Sequence, residues 1–229
     1  MKRKVLQEER EERRRREYRR CILGAAEKAI LAKGTTGMTM DDVAREAQLS
    51  KATLYHYFRS KGELLLEILG QFFEEIEAGT RKINRLPLSA AERLRKEIHF
   101  YLHFNEEKEN ISRMLMMDRS FTERMNIFVT EENRLTSEID RRFITKMKAK
   151  RKETLDGVAA LLEEGIASGE FRKVDVAGAV VFLESLLQGY CHVRLWHDRP
   201  LSAKAATDII YDLIIRGIGK KDGPAKGAL

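Results

Sequence analysis

The chain has 229 residues, 43% of them apolar and 34% charged, and a formal net charge of +7. That length allows one or two domains with a real core. The charged N-terminus, the lack of an apolar run near ~18 residues and the wide separation of Cys21 and Cys191 predict no signal peptide, no membrane span and reduced thiols in a cytoplasm. Only three prolines occur and alternating β-branched runs are nearly absent, so the fold is read as all-α.

In chain order, residues 1–17 form a charged arm. Residues 1–20 hold ten Lys/Arg against five Glu, whereas residues 21–70 balance at six against six. A localised basic segment suits a polyanion; the same run, EEREERRRREYRR, also offers i,i+4 Glu–Arg pairs to a solvated helix. A helix runs to Lys33 and stops at Gly34. Thr39 with Asp42, Ser60 with Glu63 and Ser89 with Glu92 carry capping-box spacing, and Ser50 and Ser202 are candidate caps. These signals predict helices at 40–47, 51–58, 61–80, 90–105, 107–119, 122–168 (broken somewhere), 175–196 and 203–217. Residues 219–229 read as a flexible tail.

Met40–Ala47, the turn Gln48-Leu49-Ser50 and Lys51–Phe58 make two helices too short to stand alone. Val43, Ala44, Ala47, Leu49, Leu54 and Phe58 can join them in one apolar cluster, the arrangement of a helix-turn-helix. The opposite face of the second helix then shows Lys51, Ala52, Thr53, Tyr55, His56 and Arg59, with no carboxylate to repel phosphate. Short Ala52 and Thr53 let the backbone approach base edges, and Tyr55, Tyr57 and Lys61 can reach backbone oxygens.

Thr39, Val43, Ala44, Ala47, Ser50, Thr53, Leu54, Tyr55, Tyr57, Phe58, Ser60, Lys61, Leu64 and Leu65 fall without a gap on a known pattern. On these residues the chain resembles the DNA-binding domain of the tetracycline-repressor (TetR) family over 20–70. Gln48 departs from it, standing where the family usually has glycine, and must accept a positive φ there or the turn must relax. The resemblance implies a DNA-binding domain at 18–70 and a helical ligand-sensing and dimerisation domain at 71–218. It also implies base-edge positions for Lys51, Ala52, Thr53 and His56, with Thr39, Tyr55, Tyr57 and Lys61 on phosphates and Ser50 beside them.

In the second half, Val176, Val180, Leu183, Leu187 and Cys191 form one stripe, and Ile210, Leu213 and Ile214 lie on the last helix. They are candidates for a four-helix dimer interface; burial against each other within one subunit is the alternative. Phe100, Phe104, Met114, Met117, Phe121 and Phe128 are candidate linings for an apolar ligand, with Met116 near them. His103, Glu184 and Gln188 are the polar candidates. His99, His103 and Glu107, spaced by four, are a weak candidate for a divalent metal.

No H-E-x-x-H, P-loop, G-x-S-x-G or Cys–His nucleophile spacing occurs, which argues against an enzyme. The resemblance implies the expected function, a homodimeric repressor released from a palindromic operator in double-stranded DNA by a small, largely apolar inducer, with no resident cofactor. The alternatives are a DNA-binding protein of the same fold under the control of a protein partner or metal, and an activator.

Overall fold

A computed structural model describes residues 2–117 and 138–218. Among them lie nine helices: α1 (Lys2–Gly37), α2 (Met40–Glu46), α3 (Lys51–Tyr57), α4 (Lys61–Asn84), α5 (Ala90–Glu107), α6 (Glu109–Met117), α7 (Glu138–Ser168), α8 (Val176–Arg194) and α9 (Ala203–Ile218). Residues 2–17 of the expected arm are the first part of α1. The expected boundary at residue 70 falls inside α4, which runs unbroken to Asn84. Residues 122–137, the tail 219–229 and the candidates Phe121 and Phe128 lie outside the described residues.

The caps explain where the helices begin. The Thr39 hydroxyl accepts from the Asp42 amide while the Asp42 carboxylate accepts from the Thr39 amide; Ser89 and Glu92 do the same for α5. Ser60 accepts from Glu63 N, but the Glu63 carboxylate turns to Arg59 N (2.7 Å) instead of its cap. Gly34, at φ 70°, breaks α1 and lets Gly37 lead into α2. The N-terminus of α5 gains a further anchor from the turn that follows α7. Glu170 accepts from Ala90 N (3.2 Å) and Ala91 N (3.0 Å), and these amides hold its carboxyl below the usual range.

Two apolar cores follow. The first joins α1–α4 to Phe104, Ile111 and Met114, with Ile22, Leu54, Phe58 and Leu64 fully buried. The second joins α5, α7, α8 and α9 around Leu94, Ile98, Leu102 and Leu162. Helix α4 contributes Leu64, Ile68 and Leu69 to the first core and packs along α7. By length and composition alone α8 could cross a membrane, an exception to the sequence expectation; here it lies against α5, α6 and α7.

The expected dimer stripe on α8 is not free. Val180, Leu187 and Cys191 are buried in the second core, with Val176 and Leu183 packed against it, and on α9 Ile210 is buried and Ile214 partly so. The sequence stripe selected the face that α5 and α7 already cover. Leu213 alone of that set is well exposed.

Candidate nucleic-acid interface and small-molecule cavity

The two short helices are held as expected. Val43, Ala44, Ala47, Leu54 and Phe58 are buried and Leu49 packs against them. Gln48 sits at φ 55°, so the turn keeps its tight geometry and the side chain bears the left-handed backbone. Ser50 caps α3 by accepting from Thr53 N (3.0 Å), and the two hydroxyls share a 2.8 Å hydrogen bond. On the outer face Lys51, Ala52, Tyr55 and His56 are exposed, Tyr55 at 48%.

Several of these groups already have partners. Lys51 pairs with Asp41 at 2.5 Å, and Lys61 donates to the Thr36 carbonyl at 3.1 Å. The Thr39 hydroxyl is engaged with Asp42, whose carboxyl Lys33 and Thr39 hold well below the usual carboxylate range. Tyr57 is half-buried: it stacks on Tyr18 of α1 (centroids 5.6 Å, planes at 13°) and meets the His56 ring edge-on. Beside it Arg19 lies over the Phe58 ring at 4.6 Å and pairs with Glu67 of α4. The sequence reading missed Tyr18 and Arg19. Their signal, an aromatic and an arginine one helical turn before the first core residue Ile22, is weak by itself.

The second site is a cavity of about 290 Å³ between α4, α5, α7 and α8. Its walls are apolar: Phe72, Phe73 and Ile76 from α4, Leu94 and Ile98 from α5, Leu155 and Val158 from α7, Val180, Leu183 and Leu187 from α8. Polar groups enter at defined points, and most are neutralised in place. Lys150 pairs with Glu77 (2.8 Å), Arg151 grips Glu184 through two bonds (2.8 and 2.6 Å), and Gln188 donates to Glu184 (3.0 Å). Glu97 differs. It is only 7% exposed, and one of its carboxylate oxygens has no hydrogen-bond partner. Burial pushes its carboxyl up to about 7, against the opposing pull of Asn84 and the Arg93 charge. Tyr101 and Asn105 follow it along the same side of α5 and also line the cavity. A second, polar hollow, bordered by Arg81, Asn84 and Arg85, shares Thr80 and Thr154 with it.

Residues 22–68 match the model of the bacterial regulatory proteins of the tetR family, and residues 124–203 match that of the QacR-like C-terminal region. The chain belongs to the TetR family. It is similar to the transcriptional activator FasR of Mycolicibacterium smegmatis, 25% identical over 85% of this chain and 80% of that one. Among solved structures it resembles the TetR-family regulator PfmR of Thermus thermophilus (28% identical, TM-score 0.66, 87% of this chain and 99% of that one). It also shares the fold of FadR from Bacillus subtilis, solved with stearoyl-CoA (22% identical, TM-score 0.62, 86% of this chain and 98% of that one). This TetR-family chain is a DNA-binding transcriptional regulator, of a family of regulators and not of enzymes.

Against that background several sequence-chosen ligand residues fall elsewhere. Among the described residues of the set, only Glu184 and Gln188 line the cavity. Phe104 and Met114 are buried in the first core, and Phe100 packs on Gly79. The Met117 side chain lies outside the described residues. His103 is exposed and faces Glu107 at 3.4 Å. His99 is bonded through Nδ1 to Thr207 of α9 (3.2 Å), and among the described residues no three His, Cys, Asp or Glu side chains converge as a metal site. The His99/His103/Glu107 stripe is the solvent side of α5. The cavity side is the polar set Glu97, Tyr101 and Asn105, also spaced by four but set among Leu94, Ile98 and Leu102, and that mixture was the sequence signal.

Proposed function

We propose that the chain is a cytoplasmic, homodimeric repressor that leaves a palindromic operator when a mainly apolar small molecule fills the cavity between α4, α5, α7 and α8. Residues 18–70 are then the DNA-reading unit and 71–218 the sensing and pairing unit. The observation that carries the reading is the division of α3. Leu54 and the following Phe58 are fully buried, so the helix is fixed, while Lys51, Ala52, Tyr55 and His56 face outward with no acidic neighbour on the helix.

In this reading Lys51, Ala52, Thr53 and His56 meet base edges in the major groove. Thr39, Tyr55, Tyr57 and Lys61 hold the phosphates on either side. Lys51 and Lys61 exchange Asp41 and the Thr36 carbonyl for DNA oxygens on docking.

Pairing is assigned to the exposed apolar residues that the subunit leaves uncovered. Phe182 (78% exposed), Leu186 and Val193 follow each other at helical spacing along α8, and Ile209 and Leu213 do so on α9. They form a second stripe on each helix that water does not favour. A two-fold pair can hold two α3 helices about one DNA turn, ~34–36 Å, apart.

The effector is read as an elongated apolar molecule with a hydrogen-bond acceptor that meets protonated Glu97. Its polar end reaches toward the hollow near Arg81 and Arg85. That the same fold in FadR holds stearoyl-CoA supports a long acyl chain as one such molecule. Binding shifts the protein only through different affinities for the DNA-fitting and unfitting shapes. The activator name of FasR favours a second reading in which the same dimer assists transcription.

The test is an in-vitro selection of random duplexes by the purified chain, followed by a reporter under the selected site. An enriched palindrome with reporter activity that rises on deletion of the regulator supports repression, and activity that falls supports activation. The absence of any enriched palindrome would overturn the reading.

A further inference from the structure

The basic run at the start of the chain is not used by the helix-turn-helix. It is the first part of α1. Helix α1 continues unbroken from Lys2 past Tyr18 to the Gly34 break. The Tyr18 ring lies flat on Tyr57, the last residue of α3, and Arg19 is clamped between Phe58 and Glu67. The helix thus leaves the domain from the end of the reading helix. At 1.5 Å per residue its first sixteen residues extend about 24 Å beyond that contact.

Among the described residues, the arginines of this projection are not paired within the chain. Arg10, Arg13, Arg14, Arg15 and Arg16 are exposed, and none has an ion-pair partner among the described residues. The i,i+4 Glu–Arg pairs that the sequence allows are not formed by Glu9, Glu11 or Glu12. Arg13 to Arg16 lie in consecutive positions and so point all round the axis, which makes the helix a cationic rod and not a stripe with a neutral back. Such a rod does not read bases; it neutralises a polyanion that runs along it.

We infer that the basic extension of α1 is a second DNA-contacting element, which lies along the phosphate backbone flanking the bases that α3 reads. This rests on the DNA-reading role proposed for α3 and adds affinity without sequence preference. Two things on the molecule select DNA as the partner: the opposite charge, and continuity with the reading surface through the Tyr18–Tyr57 stack.

The test measures affinity against salt concentration for the selected palindrome and for a scrambled duplex of equal length, with three proteins. These are the full chain, a variant with Arg13, Arg14, Arg15 and Arg16→Gln, and one with the same four→Lys. Each neutralised phosphate contributes about 0.9 to the slope of log K against log salt. Freeing one phosphate per protomer of a dimer makes the Gln variant shallower by about 2. It then binds both duplexes more weakly by the same factor, roughly tenfold or more near 100 mM salt, and its preference for the palindrome is unchanged. The Lys variant keeps the slope of the full chain.

A Gln variant with the slope and affinity of the full chain overturns the inference while leaving the reading of α3 intact. A full chain that does not distinguish palindrome from scrambled duplex overturns the reading of α3 itself. A Gln variant that binds DNA normally but no longer binds phosphatidylserine vesicles assigns the rod to a membrane surface and also overturns it.

Discussion

At the scale of single residues, two positions hold conformations or charges that their chemistry resists. Gln48 occupies φ 55°, a region that costs a residue with a side chain roughly 1–2 kcal/mol and glycine almost nothing. Gln48→Gly is therefore expected to raise stability by about 1 kcal/mol in urea titration without changing DNA affinity; no gain would mean that the Gln48 side chain makes a compensating contact. Glu97 has its carboxyl pushed up to about 7 by burial, above the ~4.3 of a free side chain. The folded chain holds a proton that the unfolded chain has already released in this window. Stability accordingly falls as pH rises from about 4.3 toward 7 and levels off above that, by on the order of 3 kcal/mol. Glu97→Gln removes the effect. Its stability should match that of the native chain near pH 4 and exceed it at pH 8, and parallel curves for the two proteins would refute the assignment. The same substitution keeps a hydrogen-bond donor in the cavity, so an acceptor-bearing effector should still release it from DNA.

At the scale of elements, the close approach of α4 to α5 depends on one missing side chain. A Cβ on Gly79 would lie 2.0 Å from the Phe100 ring, closer than any contact permits. Gly79→Ala must displace Phe100 or spread the helices, at a cost of about 1–3 kcal/mol. Because the same helices wall the cavity, effector response should weaken along with thermal stability. Pairing Gly79→Ala with Phe100→Leu should recover most of the loss, which a double-mutant comparison measures. Helix α5 also shows why a polar four-residue spacing misleads. His99, His103 and Glu107 share a side, as do Glu97, Tyr101 and Asn105, and each set satisfies the same periodicity. The distinction lies in the intervening residues. Leu94, Ile98 and Leu102 are fully or nearly fully buried and place the second set inward, whereas both histidines stay exposed, His99 bonded to Thr207 of α9 and His103 facing Glu107.

At the scale of the whole molecule, the surface left over after the two cores form predicts assembly. Phe182 and Leu213 are 78% and 60% exposed, and neither supports the subunit's own core. Phe182→Glu with Leu213→Glu should thus leave folding unchanged by circular dichroism and convert the proposed dimer to a monomer in sedimentation. Affinity for a full palindrome should fall far more than affinity for a half-site, since only a pair presents two reading helices. A double variant that still sediments as a dimer would move the interface elsewhere.

The sequence by itself determined the parts of this protein that depend on neighbours along the chain. Capping serines and threonines, glycine stops and 3.6-residue periodicity are local signals, so α2 to α6, α8 and α9 begin close to where those residues predict. The reading unit was legible for the same reason: Thr39 to Leu65 is one contiguous stretch whose spacing is set by two short helices and a three-residue turn. Only the tertiary structure decided which of two apolar stripes on α8 turns inward. Val180, Leu187 and Cys191 and Phe182, Leu186 and Val193 are equally apolar, and the choice belongs to α5 and α7. It likewise decided the cavity, which gathers side chains from residue 72 to residue 188. No local pattern encodes the distance between helices that far apart in the chain; packing fixes it, and the buried Glu97 acquires its shifted proton affinity only once that packing has closed around it.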